Sequence, residues 1–495
     1  MTKRFTILAA AASLMLLCGA ARAQQQGQDQ NPPPAQDQGQ QQTPDQSAPK
    51  AQGPIPAYHS PLAGAVDNED EETTTEIKPD EHALTGAQPL GLGSANAHSY
   101  WQPHANLFVT ADSNPGVATG GSSWGTWISF SGGVDVHKVS ENNELEVSYL
   151  GGGMFSNTSE AGNGAVQSLE FLEKRTFHRW ALTLIDGLAY LPESGAGFNG
   201  LGVPLPGGGG LGGGTLSPGQ SLLVGRGQNL SNQFDAEADV FVTGRTSLTF
   251  VGGYSSLNYF DSDLLNYGSA LARVGYNYLI DRKNTIGVDY EFGETNFSNF
   301  HQKLVDHEFQ VAYGRRVTGR LAFQIAAGPE IATFTLPITP GSGVGSAGPT
   351  TSVYWSLNTN LQYQMRRNFF GLSYVHSVAG GSGVLAGAEE DLVSGSVTRQ
   401  MTRQFSSGIT GGYARDHGLA VLNPTPTGTQ TFDYWYGGGN LTYPLGRTMA
   451  VTLSYQLQYQ TSGTPFCVGG GACTTDFWRN MISVGLDWRD RPRRF

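Results

Sequence analysis

Carboxylates two residues apart are the side chains of this 495-residue chain that are best placed to do chemistry. They lie in stretches where apolar and polar residues alternate, a pattern that puts positions two apart on one face of a β-strand. The carboxylates are Asp235, Glu237 and Asp239, Asp289 and Glu291, and Asp306 and Glu308. Collected around a water-filled interior, they would favour cations.

Three arginines in other alternating stretches are candidate counter-charges: Arg273, Arg399 and Arg479. On a lipid-facing strand position a charge costs up to ~2–4 kcal/mol near the membrane mid-plane, somewhat less for an acid. If the strands cross a membrane, all of these charges are expected to face a lumen. Two interpretations stay open there: the charges only solvate a watery interior, or their acidic excess gives a mild preference for cations.

Residue pairs that could form a catalytic site are arranged unfavourably. His376 is followed directly by Ser377, and Asp306 by His307, so the members of each pair point to opposite faces of a strand. The seven His residues after residue 100 have no spacing typical of a metal site. We therefore predict no enzymatic activity, no metal and no cofactor.

Two cysteines, Cys467 and Cys473, are separated by only five residues, three of them glycines. In an oxidising compartment we predict a disulfide between them. Metal binding is the alternative, but further ligands are missing nearby. Closing so short a loop should rigidify a loop tip and affect the remaining fold little.

Strands must position all of these side chains. From residue 100 onward, segments of about 9–15 residues alternate with period two, as a strand with one apolar face does. In the clearest segment, Val451–Tyr459, Val, Leu and Tyr alternate with Thr, Ser and Gln. Counting the segments predicts about 18 strands, which start near residues 104, 124, 144, 165, 180, 233, 247, 267, 285, 303, 320, 351, 369, 389, 405, 431, 448 and 477.

The connections between these segments alternate between short, basic turns and longer loops rich in Gly, Ser, Asn and Thr. An open sheet this wide would curl or split, and closure removes its edges. An even-numbered antiparallel barrel with short turns on one side spans a membrane. A soluble propeller or sandwich is the alternative, but neither separates the two kinds of connection. Tryptophans near strand ends favour the membrane barrel: Trp124, Trp180, Trp355, Trp435, Trp478 and Trp488.

The composition agrees with such a barrel. Charged residues make up 14% of the chain against a usual ~25%, yet the mean hydropathy is −0.28 and no apolar run after residue 23 could form a membrane helix. A net charge of −12 argues against binding to nucleic acid.

The N-terminal part has two segments of different character. Met1–Ala23 reads as a signal peptide, with Lys3 and Arg4 before an apolar stretch and Ala21-Arg22-Ala23 as the cleavage site. Lipidation at Cys18 is disfavoured because Leu17 precedes it where a small residue is wanted. Residues 24–99 are Gln/Pro-rich and then acidic, and we expect a disordered tether. Two interpretations stay open for it: a solvated spacer, or a contact to a cell-wall polymer or a periplasmic partner.

The last alternating segment, Trp478–Trp488, is followed by a terminal Phe495. With this ending, residues 100–495 resemble bacterial outer-membrane β-barrels of the porin-like kind. The resemblance implies contact with outer-membrane lipid, an oligomer as an option, and Phe495 as the signal that the barrel assembly machinery recognises. In porins the third outer loop narrows the lumen. Here that loop is Leu191–Ser231, and lumen folding and a mobile surface loop both stay open.

Together these features predict an outer-membrane channel for passive diffusion of small hydrophilic solutes or ions, with a mild cation preference. Inward Gly and Thr residues such as Gly408, Thr410 and Gly412 suggest a roomy lumen. Residues 24–99 look too polar to form a plug. A structural or surface-display barrel without transport is the alternative, and an exporter of a secreted polymer would need a basic lumen.

Overall fold

The architecture is known from a computed structural model of the chain. The model describes residues 83–87, 99–115, 124–157, 163–193, 226–260, 264–298, 302–335, 349–380, 385–402, 405–419, 430–467 and 473–494, without the side chains of residues 193, 226–227, 464–467 and 473–475. Among these residues, no helix is long and apolar enough to cross a membrane.

Eighteen long strands and one short strand make up the described part of the barrel. They are β1 (Tyr100–Asp112), β2 (Gly125–Ser140), β3 (Asn143–Ser156), β4 (Gly164–Thr176), β5 (Trp180–Glu193), β6 (Arg226–Thr243), β7 (Thr246–Tyr259), β8 (Tyr267–Asp281), β9 (Asn284–Phe297), β10 (Gln302–Thr318), β11 (Leu321–Thr335), β12 (Thr350–Gln364), β13 (Asn368–Ala379), β14 (Ala388–Gln400), β15 (Ser406–Gly418), β16 (Thr431–Pro444), β17 (Met449–Cys467), β18 (Cys473–Arg489) and β19 (Arg493–Arg494).

The sheet is antiparallel and closed. Each of the eighteen long strands pairs with the next along the chain, and β1 pairs with β18 to close the ring. The short β19 adds only a pairing with Tyr100 and Trp101. The predicted 18-stranded up-and-down barrel is therefore confirmed.

Most strand starts were predicted within one residue, and β1, β6 and β18 are the exceptions. β6 starts at Arg226 rather than near residue 233, because residues 229–232 already pair with β5 and β7. The polar run Gln228-Asn229-Leu230-Ser231-Asn232 hides the alternation there. The connection after β5 is correspondingly shorter than predicted, and its residues 194–225 lie outside the described part.

Alternation along each strand separates an apolar exterior from a more polar interior. In β17, the side chains of Leu453 and Tyr455 are 45% and 47% exposed, whereas that of Thr452, which directly precedes Leu453, is buried. The six tryptophans named above are also large exposed side chains. Only lipid makes so much exposed apolar surface favourable, and a closed even-stranded barrel satisfies its backbone within lipid. The predicted outer-membrane location is confirmed.

The interior is apolar at the end of the long loops. One cluster there joins inward residues of β14–β16 and β18 to Leu385, and another joins β7–β11 to Leu264 and Leu265. These leucines lie just before β8 and β14, so the described ends of two connections bury side chains against the inner wall. The lumen is thus polar mainly in the middle and toward the short turns, rather than throughout.

Pairing between β12 and β13 stops short of the end that bears the long loops. The register between β12 and β13 begins at Leu357 and His376 and runs only toward the short turn. Beyond it, the backbone N–H of Val378 donates to the carboxylate of Glu330 on β11, at 3.0 Å from Oε2. A buried backbone donor needs an acceptor, so here an inward carboxylate replaces the missing strand neighbour.

Candidate functional site in the barrel lumen

A continuous row of inward positions, each directly opposite the next in the register, crosses the wall from β6 to β11. Residues that are directly opposite each other in the register share a face, so one inward position fixes the next along the row. The members are Glu237, Val251, Arg273, Glu291, Glu308 and Glu330. Four carboxylates and a single guanidinium therefore line one continuous strip of the lumen.

Four more carboxylates lie one step from this row on the same strands and the same face. They are Asp235, Asp239, Asp289 and Asp306. The structure thus gathers seven of the predicted lumen carboxylates and Arg273 on one side of the barrel. They come from separate hairpins, and the pairing of consecutive strands brings them together.

Each carboxylate of the row has its own donor. Arg273 Nε donates to Glu291 Oε2 at 2.6 Å, and Gln310 Nε2 donates to Glu308 Oε1 at 2.5 Å. Glu237 accepts from the backbone N–H of Ala87 at 2.5 Å. Arg273 is the row's one cation, and the donors of Glu237, Glu308 and Glu330 are neutral.

The other two predicted counter-charges lie elsewhere. Arg399 shares the outward face of β14 with Val397 and is exposed near the short-turn end, so it does not line the lumen. Its position at the strand terminus, beyond the last apolar residue, made the face hard to read. Arg479 does point inward, but on β18, where it contacts Asp112 of β1 at 2.7 Å. In the ring of eighteen strands, β18 is about half a turn from β8 and β9.

Sequence reasoning missed further inward carboxylates: Glu330, Asp135, Glu146 and Glu170. Glu330 follows Ala322, Gln324, Ala326 and Gly328 at period two, so the signal was present, but the small residues make it weak. Asp135 accepts from Ser148 Oγ at 2.7 Å and lies 3.2 Å from His104 Nδ1. A second acidic region therefore lies on β2–β4.

The adjacent residue pairs considered for catalysis are separated by the wall of the barrel. His376 Nδ1 is 2.8 Å from Asp391 Oδ1, and its ring stacks on Trp355 on the outward face. Ser377 points to the other face, as alternation requires. Within the described ranges, no group of three or more His, Cys, Asp or Glu could hold a metal ion.

Several predicted features fall partly or wholly outside the described residues. Cys467 and Cys473 are directly opposite in the backbone register of β17 and β18, but their side chains are not described. Phe495, the signal peptide and most of the tether also lie outside.

One piece of the predicted tether, Ala83–Ala87, is described, and it lies against the inner wall. Its backbone forms a turn in which Gly86 N donates to Ala83 O at 3.0 Å. Ala83, Leu84 and Thr85 are buried, with Thr85 only 1% exposed. The expectation that residues 24–99 only form a tether therefore does not hold for this piece. Its short Leu-Thr-Gly sequence is buried against the inner wall of the barrel.

Several solved structures are similar to this chain at low sequence identity. No family model and no curated protein matches the sequence. Among solved structures, OccK2 (OpdF) of Pseudomonas aeruginosa is 10% identical, with 79% of this chain and 98% of that chain covered and a TM-score of 0.39. A BenF-like porin from Pseudomonas fluorescens Pf-5 is 9% identical, with 80% and 100% covered and a TM-score of 0.39. OccAB3 of Acinetobacter baumannii is 11% identical, with 79% and 99% covered and a TM-score of 0.37.

Proposed function

We propose that this barrel is a channel for passive diffusion of small hydrophilic solutes or ions, with a preference for cations. The carboxylate row from Glu237 to Glu330 is the observation that carries the proposal. Barrels of 16–18 strands are wide enough to leave an aqueous channel. A strip of uncompensated carboxylates along such a channel concentrates cations and repels anions.

The row would act as a selectivity element through its field rather than through a fixed ion site. Glu291 and Glu308 already have donors from Arg273 and Gln310. A passing cation therefore gains electrostatic attraction without having to break a tight coordination shell, which permits both entry and exit. A solute that carries an amine would be attracted in the same way.

Purified full-length protein inserted into planar bilayers tests the proposal. We expect discrete conductance steps and, in a salt gradient, a reversal potential of the sign for cation preference. Exchanging Asp289→Asn together with Glu291→Gln should shift the reversal potential toward zero, because two carboxylates leave the strip while Arg273 stays. A sealed bilayer would overturn the channel, and an unchanged potential would overturn the selectivity role.

Asp281→Asn is the control, since it removes a carboxylate away from the carboxylate row, at the short-turn end of β8. Asp281 there accepts from the backbone N–H groups of Lys283 and Asn284. These bonds lower the pKa of Asp281, so the residue is charged at neutral pH and its loss is a true change of charge. We expect the reversal potential of this variant to equal that of the wild type.

A structural or surface-display barrel without transport is the second candidate. The inward apolar clusters around Tyr434 and around Phe297 favour it, because they narrow the end of the barrel at the long loops. The same bilayer experiment separates the two candidates. A folded barrel that never conducts, with or without the long loops shortened, would support the structural role.

Further proposals concern features outside the lumen. A disulfide between Cys467 and Cys473 is supported by their directly opposed backbone positions. Recognition of Phe495 by the assembly machinery and export by Met1–Ala23 rest on the sequence alone. Oligomer formation, a cell-wall contact through the acidic tether and the absence of enzymatic activity are also proposals that rest on the sequence alone.

A further inference from the structure

The inner wall below the carboxylate row contains a depression lined by small residues. Asn277, Gly287, Ala312 and Ala326 are directly opposite one another on β8 to β11, so they form one level of the wall. Gly275 lies two residues from Asn277 on the same face. Three consecutive strands with Gly or Ala at one inward level leave a hollow where larger side chains would otherwise project.

The segment Ala83–Ala87 fills this hollow. Leu84 packs on Ala312 and Ala326 in a cluster of buried apolar residues. A Cβ added at Gly275 would overlap Thr85, and one added at Gly287 would lie 3.0 Å from Thr85 Cγ2. The two glycines are therefore needed for the segment to approach the wall this closely.

Polar contacts fix the orientation of the segment along its whole length. Asn277 Nδ2 donates to Thr85 Oγ1 at 2.9 Å, and Thr85 N donates to Asn277 Oδ1 at 3.3 Å. Gln324 Nε2 donates to Leu84 O at 3.0 Å. The wall thus supplies both a donor and an acceptor for a piece of backbone, as a peptide-binding site does.

The far end of the segment reaches the carboxylate row itself. Arg273 Nη1 donates to Gly86 O at 3.1 Å, and Ala87 N donates to Glu237 Oε2 at 2.5 Å. A Cβ on Gly86 would lie 2.7 Å from the Glu237 carboxylate oxygens, so glycine is required at this approach. The segment therefore covers the short-turn side of the row from β11 to β6.

We propose that this depression is a binding site for residues Ala83–Ala87 of the same chain, and that the seated segment is the constriction of the channel. Because residues 88–99 tether the segment to β1, it competes at a high effective concentration with any solute that binds the wall. Anything that removes it from the wall widens the lumen and exposes the carboxylate row. This inference rests on the proposed channel function for its consequence, but not for the binding itself.

Cross-linking tests the binding without reference to conductance. In full-length protein with Cys467→Ser and Cys473→Ser, the pair Thr85→Cys and Asn277→Cys should form a disulfide on mild oxidation. Linked peptides are detected by mass spectrometry after digestion. Thr85→Cys with Asn440→Cys is the matched control, because Asn440 faces inward on β16, on another part of the wall. Equal cross-linking of the two pairs would overturn the binding site.

Single-channel recording tests the constriction. Gly275→Leu should expel the segment and raise the conductance, whereas Gly187→Leu should not raise it. Gly187 is an inward glycine of β5, and a Cβ there would meet nothing within 4 Å. Oxidised Thr85→Cys/Asn277→Cys protein should keep the wild-type conductance. It should show no brief openings to the larger conductance that is expected for Gly275→Leu.

The outcomes separate the two proposals. A cross-link at 85/277 with equal conductance in Gly275→Leu and wild type would keep the binding site and overturn the constriction. A cross-link in protein that never conducts would refute the channel and the constriction while the binding site stands. If Gly275→Leu does not assemble, the comparison of oxidised with reduced Thr85→Cys/Asn277→Cys protein decides, because only the reduced form can open further.

Discussion

Two regions of the inner wall use the same residue types in opposite ways. At the seam between β18 and β1, Arg479 and Asp112 are 1% and 0% exposed and pair with each other at 2.7 Å. In the row from Glu237 to Glu330, four glutamates are accompanied by one cation, Arg273, whose side chain is 27% exposed and contacts Glu291. The seam pair is neutral and sealed. The row has an excess of carboxylates, and solvent reaches Arg273 and Glu291 in its middle, whereas Glu237 and Glu330 at its ends are buried.

Under the proposed channel function, the charges of the seam would serve the structure and those of the row would serve transport. A sealed pair fixes the register at the closure of the ring, where a buried charge without its partner would be very unfavourable. A row with more carboxylates than cations cannot contribute stability in that way, because like charges repel. The row instead contacts the segment Ala83–Ala87, through Glu237 and Arg273, and under the proposed function it acts on solutes.

The largest effect that we predict is on the seam. Arg479→Met leaves the buried Asp112 carboxylate unpaired and should lower the free energy of unfolding by about 3–5 kcal/mol. Urea unfolding in lipid vesicles, followed by the heat-dependent mobility of the folded barrel on a gel, measures this loss. Arg479→Met with Asp112→Leu should recover part of it. A midpoint equal to that of the wild type would contradict the structural role of the pair.

On the acidic wall, replacement of the arginine should change transport more than stability. Arg273→Met removes the only cation of the row, so the cation preference should increase and the reversal potential should move further from zero. Because Arg273 and Glu291 are partly accessible, the loss of stability should be smaller than at the seam. If Arg273→Met lowered the free energy of unfolding more than Arg479→Met does, the row and not the seam would be the region that stabilises the barrel.

Ionic strength gives a smaller effect that distinguishes the same two regions. The screening length falls from about 10 Å at 0.1 M salt to about 3 Å at 1 M. The cation preference of the accessible row should therefore decrease strongly between these concentrations, while the unfolding midpoint changes little because the seam pair is sealed. A cation preference that does not depend on salt would indicate a tight ion site instead of a diffuse field.

The smallest predicted effect is at the loop tip between β17 and β18. Without a reductant, Cys467 and Cys473 should resist labelling by maleimide, and both should react after reduction. Cys467→Ser should leave the unfolding midpoint of the barrel nearly unchanged, since the disulfide would close only a short local loop. Labelling of the untreated protein would contradict the disulfide.

Local pattern was sufficient for the architecture of the barrel. The alternation of apolar and polar residues predicted the strands, and the short basic turns predicted the hairpins. All long strands but β1, β6 and β18 therefore start within one residue of the predicted position. It also gave the inward face of Asp289, Glu291 and Glu308. It failed for Arg399, which follows the last apolar residue of its strand, and for Glu330, whose neighbours on that face are mostly small.

The sequence by itself therefore determined the strands, their faces and the need for closure, because alternation and unpaired edges are properties of neighbouring residues. Only the tertiary structure decided that Glu237, Arg273, Glu291, Glu308 and Glu330 form one row, since that depends on the register between strands. It also decided that Asp112 meets Arg479 and that Ala83–Ala87 binds the wall. These contacts join residues far apart in the chain, and no local periodicity encodes such a distance.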